Sequence, residues 1–310
     1  MIHTGRGADP TALGRGSSPT FTFDAIGTHW DIETDSPLDA DVSRELRGRI
    51  EDFDAVYSRF RSDSLISRIA AASTGGRFTF PEDSRPLFDL YDRLADLTDG
   101  AVDPLIGRDL ELLGYDSTYT LTPASAPVRA RHARTRPSWR TDVVRDGTTL
   151  TTRRPLVIDV GAAGKGHLVD LVAALLGDAA TGRFVIEAGG DLRHSGSDTL
   201  RVGLEHPLAP GRVIGVAHLH QQAMCASATN RRAWGPGLHH VLDGRTGLPT
   251  RDVLATWVIT DDAAVADALA TALFFASPQH LATAHRFTYV RVRSDGRVDA
   301  SPDFSGELFT

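Results

Sequence analysis

The stretch Asp159 to Asp170, DVGAAGKGHLVD, sets a glycine-rich turn and a lysine between an apolar run, PLVIDV, and a helical pattern, HLVDLVAALLG. Many phosphate sites are built this way: glycines let the backbone come close, the first helical turn offers free N–H groups, and a lysine adds charge. The triphosphate-loop motif fails here, because it needs four residues between its glycine and the Gly-Lys pair, then Ser or Thr. Gly161 and Gly164 stand too close, and Gly166 follows Lys165. The dinucleotide fingerprint G-x-G-x-x-G fails as well. A diphosphate site and a purely structural strand-to-helix turn both stay open. Asp159, closing the apolar run, could cap the loop, contact a ligand or do both.

Working outward, PLVIDV reads as a short buried strand and HLVDLVAALLG as a helix ending at Gly177. Upstream, TFTFDAIGTHWDIET predicts two strands around Gly27. In LDADVSRELRGRIEDFDAVYSRF, the residues Val42, Leu46, Ile50, Phe53, Val56 and Phe60 recur at three and four positions, one apolar helical face. SRPLFDLYDRLADLTDG predicts a second helix with Ser84 as N-cap, Pro86 in its first turn and Gly100 just past its end. Between Thr122 and Thr152 we expect one short helix and a hairpin around RDGTT. RFVIEAGGDLR runs a strand into a double-glycine turn. Further strands are expected at LRVGLEH, VIGVAHL, ATWVIT and YVRVRS, and helices at AAVADALATALFFA and SPQHLATAHR. Long connections and mixed strand spacing point to α+β rather than a βαβ series.

A chain of 310 residues can bury a full core, and 41% apolar with 24% charged residues is ordinary for a globular protein. The net charge of −7 gives no general attraction for nucleic acid or anionic membrane. The single cysteine, Cys225, excludes an internal disulfide and a cysteine zinc cluster, and reads as a small buried residue. Residues 1–19 read as a disordered polar lead without signal peptide or lipidation cysteine, and residues 20–310 as the functional domain. No stretch approaches the roughly 20 apolar residues of a membrane span. We therefore expect a cytoplasmic protein.

Three other places carry chemistry. In ADALATALFF, Asp267 and Thr271 lie four apart on one helical face, a carboxylate beside a hydroxyl that suits Mg²⁺. The competing reading is a threonine bonded back into its own helix and an aspartate near a helix start. In EAGGDLR, Gly189 and Gly190 admit a close neighbour, and Asp191 could bond backbone or ligand. LHHVLDGRTGLPT offers His239 and His240, either of which could act as a base near neutral pH, or be structural.

The order of these signals is more specific than any one of them. AIGT, SRFRSDSLISRI, GAVDPLIG with LLGYD, DVGAAGKGHLVD, IEAGGDLR, CASATNRR, HHVLDGRTGLPT and DALATALF together resemble the ApbE family of FAD:protein FMN transferases, from about Phe21 to Phe275. The resemblance implies an ApbE-like α+β fold with mixed or antiparallel sheets and packed helices. It also implies Mg²⁺-dependent transfer of FMN from FAD, through a phosphoester bond, to a threonine of a flavoprotein with an Asp-x-x-Thr type motif, releasing AMP. By motif position, Asp159, Lys165, Ile26, Phe60, Ala101, Val102, Asp103 and Val241 would contact FAD. The backbone carbonyl of Ala162, with Asp267 and Thr271, would hold Mg²⁺. His240 would activate the acceptor hydroxyl, with Lys165 stabilising charge on the phosphoryl group. Ile26 replaces the family's usual Met, Phe60 an often-found Tyr, Ala70 a common Asn, and Ala226 to Thr229 the usual Thr-Ser-Gly-Asp. Many relatives are exported lipoproteins. A Mg²⁺-dependent FAD pyrophosphatase and a non-catalytic FAD-binding protein are the alternatives; the intact Asp267 and Thr271 argue against the latter.

Overall fold

The computed structural model describes residues 18–309 apart from residue 180, so most of the expected polar lead at 1–19 lies outside the described residues. The chain is organised on an eight-stranded sheet: β1 (Thr20–Ala25), β2 (Thr28–Thr34), β3 (Phe184–Ala188), β4 (Asp191–Ser195), β5 (Ala223–Ala228), β6 (Val253–Thr260), β7 (Thr288–Arg293) and β8 (Val298–Ala300). These neighbours follow chain order, and each pairing is antiparallel. The α+β expectation therefore holds, with antiparallel rather than mixed pairing among the described residues. Four helices cover one face: α1 (Ala40–Tyr57), α2 (Arg85–Leu97), α3 (Gly164–Asp178) and α4 (Ala263–Ala272).

Strand periodicity decides which side chains meet the helices. Ile186, Cys225 and Val258 point to the helical layer and join one core with Leu46, Leu87, Leu168 and Leu269. Their chain neighbours Val185, Met224, Trp257 and Ile259 point the other way. There they pack on residues of a three-stranded sheet made by Leu200–Glu205, Val213–Leu219 and Gly306–Leu308. The β1–β2 turn puts both Ile26 (φ 46°) and Gly27 (φ 73°) in the left-handed region. Two-residue hairpins of this twist demand that geometry, which is costly for a β-branched residue such as Ile26.

Helices α3 and α4 are locked by reciprocal capping. Asp170 on α3 accepts from the Ala263 and Ala264 amides at 2.9 and 2.8 Å, closing the start of α4. Asp267 on α4 accepts from the Gly166 amide at 3.1 Å, in the first turn of α3. Such close approach needs Gly166: a Cβ there would lie 2.1 Å from the Ala263 carbonyl oxygen.

Several local expectations change. PLVIDV is extended and buries Leu156, Ile158 and Val160 alternately, but it belongs to no strand. The Asp159 amide bonds to the Pro104 carbonyl at 2.7 Å, so the run is packed as a strand would be without a ladder. Phe60 falls beyond the end of α1, leaving Tyr57 as the last buried residue of that face. Ser84 stands at the N-cap of α2 as expected, but its backbone is already helical (φ −74°, ψ −19°) and its side chain makes no capping bond; its hydroxyl accepts from Tyr57 Oη at 2.5 Å instead. Helix α3 runs through Gly177 to Asp178, since that glycine keeps an ordinary helical φ. Two short helices, Ala126–Ala133 and Trp139–Asp142, precede the hairpin around Gly147 where one was expected. The SPQHLATAHR helix is confined to Pro278–Leu281.

The two glycines of α3 should respond oppositely to alanine. Gly166→Ala should destabilise by about 2 kcal/mol or more, because backbone rather than a yielding side chain blocks the new methyl. Gly177→Ala, with no atom within 4 Å of its added Cβ, should be neutral or stabilising by about 0.5 kcal/mol. Urea unfolding checks both; equal midpoints would remove the packing argument.

Candidate active site

Two connected cavities open beside the start of α3. The wider, about 630 Å³, is bordered by Ile26 and Phe60. The narrower, about 130 Å³, is lined by Ala101, Val102, Asp103, Ala162, His240, Val241, Asp267 and Thr271. Asp159, Lys165 and Tyr115 border both. The residues that the resemblance assigns to FAD, Mg²⁺ and proton transfer thus all border these two cavities, whereas His239, Gly190 and Asp191 border neither.

Asp159 is doubly held: Oδ1 accepts from the Gly161 amide at 2.7 Å, and Oδ2 pairs with Arg59 Nε at 2.6 Å. Burial would raise its pKa, but the Arg59 charge and these hydrogen bonds outweigh burial and hold it below the ordinary carboxylate range. Gly161 cannot carry a side chain without pressing on Asp159, whose Oδ1 would lie 2.7 Å from its Cβ. The loop glycines therefore shape the turn and the helix packing, and the exposed cleft wall follows from that.

Lys165 forms an ion pair with Asp191, and its Nζ lies 3.7 Å from Asp267 Oδ1. Both carboxylates are almost fully buried. Burial, then the Asp267 charge, pushes Asp191 up to about 7 against the pull of Lys165. Lys165 is held well above its usual value, its burial cost outweighed by Asp191 and Asp267. The double-glycine turn before Asp191 is needed for fit: a Cβ on Gly189 (φ 59°) would fall 1.9 Å from Thr28 Oγ1.

The metal-ligand question turns on this group. Asp191 Oδ1 is buried without a hydrogen-bond partner, and two buried carboxylates face one ammonium. Excess buried negative charge is costly unless one carboxylate is protonated, the direction in which Asp191 is pushed, or a cation joins the pair. The Thr271 hydroxyl makes no bond back into its helix among the described residues, and Asp267 caps α3 rather than α4, so the competing structural reading of the pair is not the one found. Among the described residues no three His, Cys, Asp or Glu side chains converge. A cation here would draw on hard oxygens of mixed origin: carboxylate, hydroxyl, backbone carbonyl and ligand, a donor set that fits Mg²⁺.

The paired histidines separate cleanly. His239 is buried, with Nε2 at 2.9 Å from the Thr250 carbonyl and Nδ1 accepting from the Val241 amide at 3.3 Å. Its ring is committed to the backbone. His240 Nδ1 is enclosed and has no partner. Burial, then the Arg232 charge, pushes His240 down to about 3, so the ring is neutral at physiological pH and able to accept a proton. Asp103 is likewise committed: its oxygens accept from the Leu105 amide at 2.8 Å and the Trp139 amide at 2.9 Å. It braces the loop that carries Ala101 and Val102, and Gly244 packs on that loop through a 2.8 Å bond from its amide to the Ala101 carbonyl.

Among the cleft residues that escaped the sequence reading are Arg59, Tyr115, Tyr119 and Arg232. Arg59 is buried and sits over the rings of Phe60 (4.3 Å) and Tyr115 (5.0 Å). Its position directly before the singled-out Phe60 was the available signal. Arg232 follows the CASATN run without any spacing rule to mark it.

The ApbE family model matches residues 26–291, and the chain belongs to that family. It is 29% identical over 305 residues to a FAD:protein FMN transferase of Rhodobacter capsulatus, covering 93% of this chain and 58% of that protein. It is 32% identical over 202 residues to one of Klebsiella pneumoniae, covering 62% of each. The chain thus spans about three fifths of the length of these two relatives. Its fold matches the flavin transferase ApbE of Vibrio cholerae with a TM-score of 0.80 at 22% identity, over 93% of this chain and 98% of that one. The ApbE protein of Thermotoga maritima gives 0.81 at 24%, over 92% and 97%. No helix among the described residues is long and apolar enough to cross a membrane.

The depressed His240 value carries a stability signature. Unfolded, the ring takes a proton below about pH 6.5; folded, it resists down to about 3. His240 therefore contributes stability that is present above pH 6.5 and is lost as pH falls from there toward 3. Between pH 7 and pH 5 the parent should lose about 1–2 kcal/mol more than His240→Gln. Urea unfolding at the two pH values measures this, and parallel losses would place the ring in solvent.

Proposed function

We propose that this chain catalyses Mg²⁺-dependent transfer of FMN from FAD to a threonine hydroxyl of a partner flavoprotein, releasing AMP. The observation that carries this reading is that Lys165 and Asp267, backed by the buried Asp191, line the same narrow cavity as the neutral His240 ring. The family and the names of the relatives support the same chemistry.

In this reading the diphosphate lies against the start of α3 beside Lys165, with the flavin toward Ile26 and Phe60 and the nucleotide end toward Ala101, Val102, Asp103 and Val241. The acceptor threonine Oγ forms a bond to the phosphorus on the FMN side, and the bond from that phosphorus to the bridging oxygen breaks. The bridging oxygen leaves with AMP. The threonine proton passes to the neutral His240 ring. Lys165 balances the charge that develops on the leaving phosphate, and it is already oriented by Asp191. The Ala162 carbonyl, Asp267 and Thr271 would hold Mg²⁺, which when bound supplies charge neutralisation on the diphosphate oxygens. Asp159 and the amide of Gly161 set the loop against the ligand. The acceptor is expected to present an Asp-x-x-Thr type segment.

Purified protein with Mg²⁺, FAD and an acceptor of that motif should give AMP and an acceptor heavier by one FMN in intact-protein mass spectrometry. Asp267→Ala should lower turnover by roughly 100-fold or more, the scale at which a group stabilising phosphoryl charge is lost. FMN and AMP produced with no mass gain on the acceptor would turn the reading to a hydrolase. Tight FAD binding with no AMP would end the enzyme reading.

A further inference from the structure

Phe60 is a residue proposed to receive the flavin, yet its ring already has two neighbours lying over it and a third, Tyr115, edge-on at 5.7 Å. The Arg59 guanidinium lies over it at 4.3 Å, and Tyr119 stacks on it, nearly parallel at 5°, with centroids 5.2 Å apart. The two neighbours differ in freedom. Arg59 is buried and anchored by Asp159 at 2.6 Å and by the Tyr115 carbonyl at 2.9 Å. Tyr119 is 50% exposed at the mouth of the wider cavity.

The loop bearing Tyr119 is fixed at its base and strained at its tip. Asp116 accepts from the Thr118 and Thr120 amides at 2.9 and 3.1 Å and from both of their hydroxyls. Between and beyond those anchors, Tyr119 (φ 52°) and Leu121 (φ 50°) adopt left-handed backbone, which side-chain-bearing residues seldom take. With Ile26, they make three left-handed non-glycine residues on one cavity. Such strain persists where surrounding structure enforces it and tends to mark ligand clamps.

We infer that Tyr119 is a further flavin-binding residue, and that the isoalloxazine ring enters between Phe60 and Tyr119 so that one stack becomes two. This deepens the proposed function and rests on it. A planar ring reaches that face of Phe60 where Tyr119 now lies, and of the two neighbours Tyr119 is the half-exposed one, with an edge contact to Tyr115 at 5.6 Å to give up. Once displaced, it keeps a π-face against the ligand, so the exchange retains stacking rather than forfeiting it. The adenosine end lies in the narrower cavity, away from this loop, so Tyr119 should discriminate by the flavin alone.

The test compares the parent, Tyr119→Ala and Tyr119→Phe by titration with FMN and with ADP in Mg²⁺, and by steady-state kinetics with FAD. Tyr119 is half exposed, so both variants should fold, and circular dichroism checks that they do. Tyr119→Ala should weaken FMN binding and raise KM for FAD by roughly five- to ten-fold, the range expected for one aromatic stack. The same variant should leave ADP affinity unchanged, and Tyr119→Phe should restore FMN binding. Unchanged or tighter FMN binding in Tyr119→Ala, or an equal loss for ADP, would overturn the inference while leaving the transferase reading in place. A parent that binds ADP but not FMN would overturn both.

Discussion

The site depends on two carboxylates exchanged between helices. Asp170 of α3 caps α4, and Asp267 of α4 accepts from the first turn of α3. Each such cap is worth about 1 kcal/mol, a small share of the fold's stability. Its larger effect is geometric. Because Gly166 lets the backbones touch, Lys165 and Asp267 come from different helices yet stand 3.7 Å apart. Loosening α3 from α4 would move the charge that holds the leaving phosphate away from the groups proposed to hold the cation.

Around that joint the charges alternate in sign and are mostly buried. Arg59 faces Asp159; Lys165 lies between Asp191 and Asp267. Buried ion pairs of this kind are poor sources of stability, since desolvation offsets most of their attraction. They do hold charges in place before a ligand arrives, which is what stabilising a phosphoryl group in flight requires. The raised Asp191 and the depressed His240 belong to the same economy: a pocket withdrawn from water, rich in oxygen ligands, with a neutral imidazole at its edge.

Much of this was legible because local chemistry and motif order agree. The two strands around Gly27, the apolar face of α1, the Gly100 stop of α2 and the double-glycine turn before Asp191 all rest on short-range rules, and the structure has each of them. Other parts depended on contacts that no local rule encodes. PLVIDV has the burial pattern of a strand, but whether a neighbour supplies a ladder is decided by distant residues. Gly166 looked like part of a phosphate loop, and only the nearness of Ala263 shows that it serves helix packing. Arg59 and Asp159, a hundred positions apart, form a pair that neither segment announces. Of His239 and His240, only the surroundings tell which ring is committed to backbone and which is left with a bare nitrogen.

The cleft is built differently at its two ends, and that difference bears on recognition. The diphosphate end rests on α3, α4 and β4, whose side chains are braced by caps and ion pairs. The flavin end is framed by the β1–β2 turn and the loop after Tyr115, where Ile26, Tyr119 and Leu121 hold left-handed conformations. Rigid elements suit a charged group whose geometry must be met within tenths of an ångström. Loops suit a broad apolar ring, for which stacking tolerates sliding and a neighbour can step aside. Relative to the family's habit, Ile at position 26 and Phe at position 60 alter this adaptable end, while Ala226 to Thr229 alter the narrower cavity, whose wall Ala226, Ser227 and Ala228 share with Asp267 and Thr271. Both ends of the cleft thus vary around Lys165, Asp191 and Asp267, which stay where α3, β4 and α4 put them.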